Sequence, residues 1–193
     1  MVISSSNSYS KSNPDVVKIS SVNKINLKRF PQNGQIQIYQ SSYRGSYSSI
    51  IRDSLRNAAL GRKVLLVQFM KGGVKQGIAN AVKLCGNLTW VRSSHSFDHY
   101  HSEEIENNKN LKESIHESTY ELWDFCKKEL LSGENDQIIL DEISLAIEMK
   151  IIDKDDLIST LENRFISGDV ILTGTDIPKD LLLMANQITE LRS

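Results

Sequence analysis

Cysteine is scarce in this chain: only Cys85 and Cys126 occur in 193 residues. Two thiols are too few for a disulfide framework, and both fall in apolar-patterned segments. They are therefore expected as reduced core thiols of a cytoplasmic protein. There is no surplus of charge of either sign, because 23 Lys and Arg stand against 24 Asp and Glu, a formal net charge of −1. That balance excludes the basic face on which general nucleic-acid binding depends, so no nucleic-acid partner is expected. No apolar run approaches the roughly 18 residues of a membrane span, so no membrane partner is expected either. The first residues lack an apolar stretch of the secretory type.

What the sequence has in excess sits at its start. Residues 1–24 carry eight serines and three asparagines with no apolar periodicity. Pro14 and Pro31 interrupt any regular element before residue 34. Residues 1–34 therefore read as a Ser/Asn-rich disordered tail, with ordering against a partner subunit as the alternative. The remainder, residues 35–193, is rich enough in Ile, Leu and Val for one core and reads as a single domain.

From Gln35 the pattern becomes regular. QIQIYQ (35–40) alternates like a strand and is followed by a loop of small residues, 41–49. Ile51, Leu55 and Ala58 recur at helical spacing over 50–61, with Gly61 at the stop position. KVLLVQF (63–69) is a continuous apolar run of the kind buried on both faces of a parallel sheet. Further along, 74–86 reads as a helix ending at Gly86, 88–92 as a short strand, and 111–131 as a long amphipathic helix. QIILDE (137–142) and DVILTG (169–174) read as buried strands, and QITEL (187–191) as a last short one. Asp153 is placed to cap a helix over 154–163, and Pro178 to open one over 178–186. The alternation predicts an α/β fold: a parallel sheet of five or six strands with helices on both faces.

In such sheets ligands bind at the carboxyl ends of the strands, and three features fall there. The first is the loop Ser41-Ser42-Tyr43-Arg44-Gly45-Ser46-Tyr47-Ser48, where a phosphate cradle would stand before a helix N-terminus. The second is Asp141-Glu142, carboxylates suited to Mg²⁺ beside a phosphate, or else a helix-capping or solvated pair. The third is Thr173-Gly174-Thr175, a post-strand turn. His95, Asp98, His99 and His101 form a further cluster, which reads as a solvated loop in preference to a zinc site.

These features in this order resemble the P-loop-type ATP:corrinoid adenosyltransferases, acting on cob(I)alamin or cob(I)yrinic acid a,c-diamide. The likeness runs from about Ile36 to Leu191. It is carried by AALGRKVLLVQFMKG (58–72), LTW (88–90), Trp123, LDEISLAI (140–147), VILTGTDIPKDLL (170–182) and ANQITEL (185–191). The resemblance implies a P-loop-like fold, a homodimer, and ATP, Mg²⁺ and a corrinoid as ligands. It implies that cobalt(I) attacks the 5′ carbon of ATP and that triphosphate leaves. By position it puts Asp141 and Glu142 on the metal side and Leu88 and Trp90 on the corrinoid side, Leu88 standing where the family has phenylalanine. Against the family's GNGKGKTT loop, Ser41 and Tyr43 stand for glycines and Arg44 for the first lysine. Ser46 stands for the phosphate lysine, Tyr47 for the metal-binding threonine and Ser48 for the last threonine.

Thr175 likewise stands for an arginine and Asn186 for an acid. The departures therefore gather at the nucleotide while strands and core helices keep the family pattern. Loss of one charge-assisted contact costs about 1.5–3 kcal/mol, and two cations facing the phosphates are gone. The expectation is a corrinoid adenosyltransferase-like protein with a degenerate phosphate loop, weak or inactive in adenosyl transfer. The alternative is a non-catalytic corrinoid- or nucleotide-binding, regulatory or scaffold protein of the same fold.

Overall fold

The computed structural model describes residues 33–44, 47–71, 77–95 and 108–191. The expected tail up to residue 32 and the loop residues Asp98, His99 and His101 lie outside the described residues, as do Gly45 and Ser46.

Among the described residues seven strands form one sheet in the order β3-β4-β2-β5-β6-β1-β7. The strands are β1 (Ile36–Ser41), β2 (Val64–Gln68), β3 (Val82–Leu84), β4 (Leu88–Arg92), β5 (Gln137–Asp141), β6 (Asp169–Gly174) and β7 (Gln187–Leu191). Every pairing is parallel except that of β3 with β4. The helices are α1 (Ser48–Ala59), α2 (Lys109–Ser132), α3 (Ile143–Glu148), α4 (Lys154–Glu162) and α5 (Lys179–Met184). The expected α/β sheet is present, with seven strands where five or six were expected.

The three central strands β2, β5 and β6 are almost wholly buried, which is why their sequences run apolar without alternation. Leu65, Val67, Ile138, Leu140, Val170 and Leu172 point to one face. There they pack with Leu122, Trp123 and Cys126 of α2, Ala146 of α3, Leu157 and Leu161 of α4 and Leu181 of α5. Val64, Leu66, Leu88, Ile139 and Ile171 point to the other, under Ile50 and Ala58 of α1. Register then carries the α1-side row onward to the carboxyl edge as Gln68 beside Asp141.

Helix ends follow their caps. The Asp153 carboxylate accepts from the backbone N–H groups of Asp155 and Asp156 at 2.8 and 2.9 Å, as its position predicts. Asn108 does the same for α2 through Leu111 N, and left-handed Gly133 ends that helix.

The helix expected over 74–86 is not formed by its described part. Ile78–Asn80 is a single 3₁₀ turn, and Val82–Leu84 is strand β3, antiparallel to β4. Gly77 (φ 70°) and Gly86 (φ 75°) both take left-handed backbone, which breaks the helical path at one end and turns a hairpin at the other. Cys85 lies in that hairpin turn at φ 51° and is exposed, not a core thiol as expected. Cys126 is the buried thiol, and burial pushes its pKa well above the ordinary value. The 3₁₀ turn, β3 and the short helix α3 are the elements that sequence patterning missed.

Leu140 is fully buried at the centre of the sheet. Leu140→Ala is expected to destabilise the fold by about 2–5 kcal/mol, read as a lowered urea midpoint with unchanged slope.

Candidate functional site

The carboxyl ends of β1, β2, β5 and β6 meet at one edge, and the side chains gathered there are polar. Asp141 closes β5 and is only 2% exposed. Its Oδ1 accepts from the Thr173 hydroxyl at 2.8 Å. Its Oδ2 accepts from Gln68 Nε2 at 2.6 Å and from Lys71 Nζ at 3.2 Å. A buried carboxylate is tolerable only when its charge is met in this way.

Glu142 follows in a left-handed conformation, φ 59° and ψ 34°, as the cap of α3. A side chain at this φ carries strain, which here turns the chain sharply from strand to helix and points the carboxyl back into the site. The Glu142 N–H donates to Thr173 Oγ1 at 2.8 Å, so one threonine ties both acids. Glu142 Oε2 receives Arg44 Nη2 at 2.9 Å, and the same nitrogen donates to the Met70 carbonyl at 3.2 Å. Glu142 Oε1 is buried and accepts no hydrogen bond among the described residues, with Lys71 Nζ 4.0 Å away. Both acids are buried, so the reading of a solvated pair fails.

The loop residues take distinct positions. Ser41 ends β1 and is buried, while Ser42, Tyr43 and Arg44 are exposed and Ser48 begins α1. The Tyr43 N–H donates to Ser41 Oγ at 3.3 Å. Tyr47 caps α1 with its ring 1% exposed, packed in the α1-side core, and its hydroxyl donates to the Gly174 carbonyl. Burial first, and then the charges of Glu142 and Asp141, push its pKa up to about 12. Thr175 N donates to Ser144 Oγ at 3.2 Å, so the 173–175 turn is fastened to α3. Beside the loop a cavity of about 370 Å³ opens between Gln40, Ser41, Ser42, Thr175, Glu190 and Leu191.

Trp90 is half-buried on the α1 face of β4, and its indole N–H donates to Gln68 Oε1 at 2.9 Å. The Arg92 guanidinium lies 5.0 Å above its ring centre. Leu88, two residues earlier, is 1% exposed beneath α1 and offers no free surface. Trp123 is buried elsewhere, donating to Asp156 at 2.7 Å. His95 is not a free loop residue. Its Nδ1 and Nε2 lie 3.2 and 3.1 Å from the hydroxyls of Ser118 and Ser114 on α2. No group of three or more metal-binding side chains occurs among the described residues. Gln68, Lys71 and Ser144 are the site residues that sequence reasoning missed; the register of β2 against β5 is the signal that would have found Gln68.

Among the described residues, one buried oxygen here, Glu142 Oε1, accepts no hydrogen bond, while Asp141 already holds three donors. The donor set fits a magnesium ion held by one or two carboxylates, its other ligands coming from water and phosphate.

Residues 32–193 match the sequence model of a family described as ATP:corrinoid adenosyltransferase BtuR/CobO/CobP. The chain is 24% identical over 162 residues to the "Corrinoid adenosyltransferase" of Escherichia coli strain K12, covering 83% of this chain and 78% of that protein. It is 24% identical over 169 residues to "Corrinoid adenosyltransferase CobA" of Salmonella typhimurium, with 83% and 78% covered.

The Tyr47 phenol makes stability fall at alkaline pH. Its pKa is raised in the fold, so its contribution is complete below the unfolded value of about 10 and is lost as pH rises through about 12. Thermal unfolding followed from pH 9 to 12 is expected to show this loss, and Tyr47→Phe to flatten it.

Proposed function

The chain belongs to the ATP:corrinoid adenosyltransferase family, and on that premise we propose that it binds a corrinoid while transferring adenosyl weakly or not at all. One observation carries the reading: the Tyr47 ring is buried at the start of α1, where a small hydroxyl would face nucleotide-bound metal, and its hydroxyl is spent on the Gly174 carbonyl. Two further facts support it. Ser46 has neither the length nor the charge to reach a terminal phosphate. The acid pair, meanwhile, is already met by Lys71 and Arg44. Trp90 marks the side on which the flat corrinoid is held, and the cavity at the carboxyl ends of β1 and β7 is lined mostly by polar side chains.

Were Mg²⁺ held here, Glu142 with Asp141 would hold it, and it would neutralise charge on a leaving triphosphate. The chain's own contribution is to bury the acids, orient them through Thr173 and exclude water beneath Tyr47. A second reading, slow adenosyl transfer, has one observation in its favour. Arg44 and Lys71 together bring two cations to the edge that lost its loop lysine. We also propose a homodimer, as the family resemblance implies, in the cytoplasm.

Calorimetric titration with Mg-ATP is expected to give a Kd above about 0.1 mM. Ser46→Lys combined with Tyr47→Thr is expected to tighten binding at least about tenfold, the size of one charge-assisted contact. Micromolar affinity in the unaltered protein would overturn the reading, and no gain from the pair would place the loss beyond the loop. Light scattering at micromolar concentration is expected to give twice the 21.8 kDa chain mass.

A further inference from the structure

We propose that Gln68 is a positioning residue that couples the Trp90 indole to the Asp141 carboxylate, so that charge changes at the acid pair are felt at the aromatic side of the site. Gln68 is the last residue of β2, in register with Arg92 on β4 and Asp141 on β5, and is 2% exposed. Its amide has one possible orientation. A carboxylate only accepts and an indole N–H only donates, so the NH₂ must face Asp141 and the carbonyl must face Trp90. Those are the contacts found, at 2.6 and 2.9 Å. Rotating the amide by half a turn would break both at once in a place that water does not reach.

The coupling has a direction. Gln68 Nε2 and Lys71 Nζ share the same oxygen, Asp141 Oδ2. When the ammonium leaves that oxygen, drawn for example to an anion at the edge, the carboxylate charge falls more fully on the Gln68 amide. The amide polarises, its carbonyl becomes a stronger acceptor, and the Trp90 hydrogen bond tightens. Neutralising Asp141 does the reverse. The Arg92 guanidinium lies over the ring face, 5.0 Å from its centre, while the N–H bond lies in the ring plane. The ligands at the two ends rest on the functional reading above, whereas the coupling itself is a property of the protein alone. By reciprocity, whatever binds over Trp90 must alter cation affinity at the acids by the same factor.

The test is the indole N–H spectrum of the ¹⁵N-labelled full chain. Its two tryptophans give two indole cross-peaks, assigned by Trp123→Phe. Lys71→Met is expected to move the Trp90 proton downfield and Asp141→Asn to move it upfield. In a Gln68→Met background both shifts are expected to vanish. The Trp123 cross-peak, tied to Asp156 on another face, stays in place while the fold is intact. Equal shifts with and without Gln68 would overturn the coupling. Should Gln68→Met fail to fold, Lys71→Met alone decides: it alters a partly exposed side chain, and an unmoved Trp90 peak overturns the proposal. Hydroxocobalamin then tests the ligand separately. If it leaves both cross-peaks unmoved, the corrinoid reading of Trp90 fails, even where the variants have established the coupling.

Discussion

The arrangement of the carboxyl edge depends on one buried charge, the Asp141 carboxylate. It lies on the α1 face of the central strand β5, between β2 and β6, and its two oxygens take donors from both neighbours and from Lys71. An unmet carboxylate there would cost far more than any single contact in the fold returns. The neighbouring residues are fixed by that need. Thr173 must present a hydroxyl, Gln68 an amide and Lys71 an ammonium, and each then hands its remaining capacity on to Glu142, to Trp90 or to solvent. The polar edge is a connected network because its centre cannot stay ionised alone.

Tyr47 belongs to the same economy of space. A small hydroxyl at the head of α1 would leave room between that helix and the end of β6. The phenol fills the room and satisfies its own hydroxyl on Gly174. Burial first, and then the two acids, raise its pKa, so it stays neutral beside them. Filling and neutrality together satisfy the head of α1 from within the chain, whereas a glycine-rich cradle with a lysine needs a phosphate to be satisfied.

Much of this was legible in the sequence. The strands over 169–174 and 187–191 coincide with their expected bounds residue for residue: β6 is a buried apolar run closed by a polar turn, whereas β7 is an exposed edge strand of alternating character. Asp153 announced its helix through the cap alone. The segment 78–84 was not legible. Ile78, Ala81 and Val82 fit helical spacing as well as Val82 and Leu84 fit a strand, and three residues are too few to separate the two periods. Two left-handed glycines and the adjacent edge of β4 decided the matter. In the site, Asp141, Glu142 and Thr173 stood out as polar residues closing apolar strands. Gln68 and Lys71 stood in the same kind of place, yet their role depends on which strand lies beside β2, and no local pattern states that. Leu88 shows the converse. Motif position brings it beside Trp90, and the same pleat that puts both on the α1 face places Leu88 deep beneath the helix.

Two acids buried side by side at the end of β5 pose an apparent contradiction, since carboxylates with no cation to hold should be exposed. The ion pairs resolve it. Lys71, next to the end of β2, and Arg44, from the loop itself, bring positive charge to the acids from two directions. The buried acids therefore remain stable in the fold whether or not a metal ion is present. The same pairs set a condition on any ligand that enters. An anion approaching the edge competes with Asp141 and Glu142 for these two cations, and a metal ion competes with the cations for the acids. Binding there is an exchange of partners within the network, so its free energy is a difference between two well-met states.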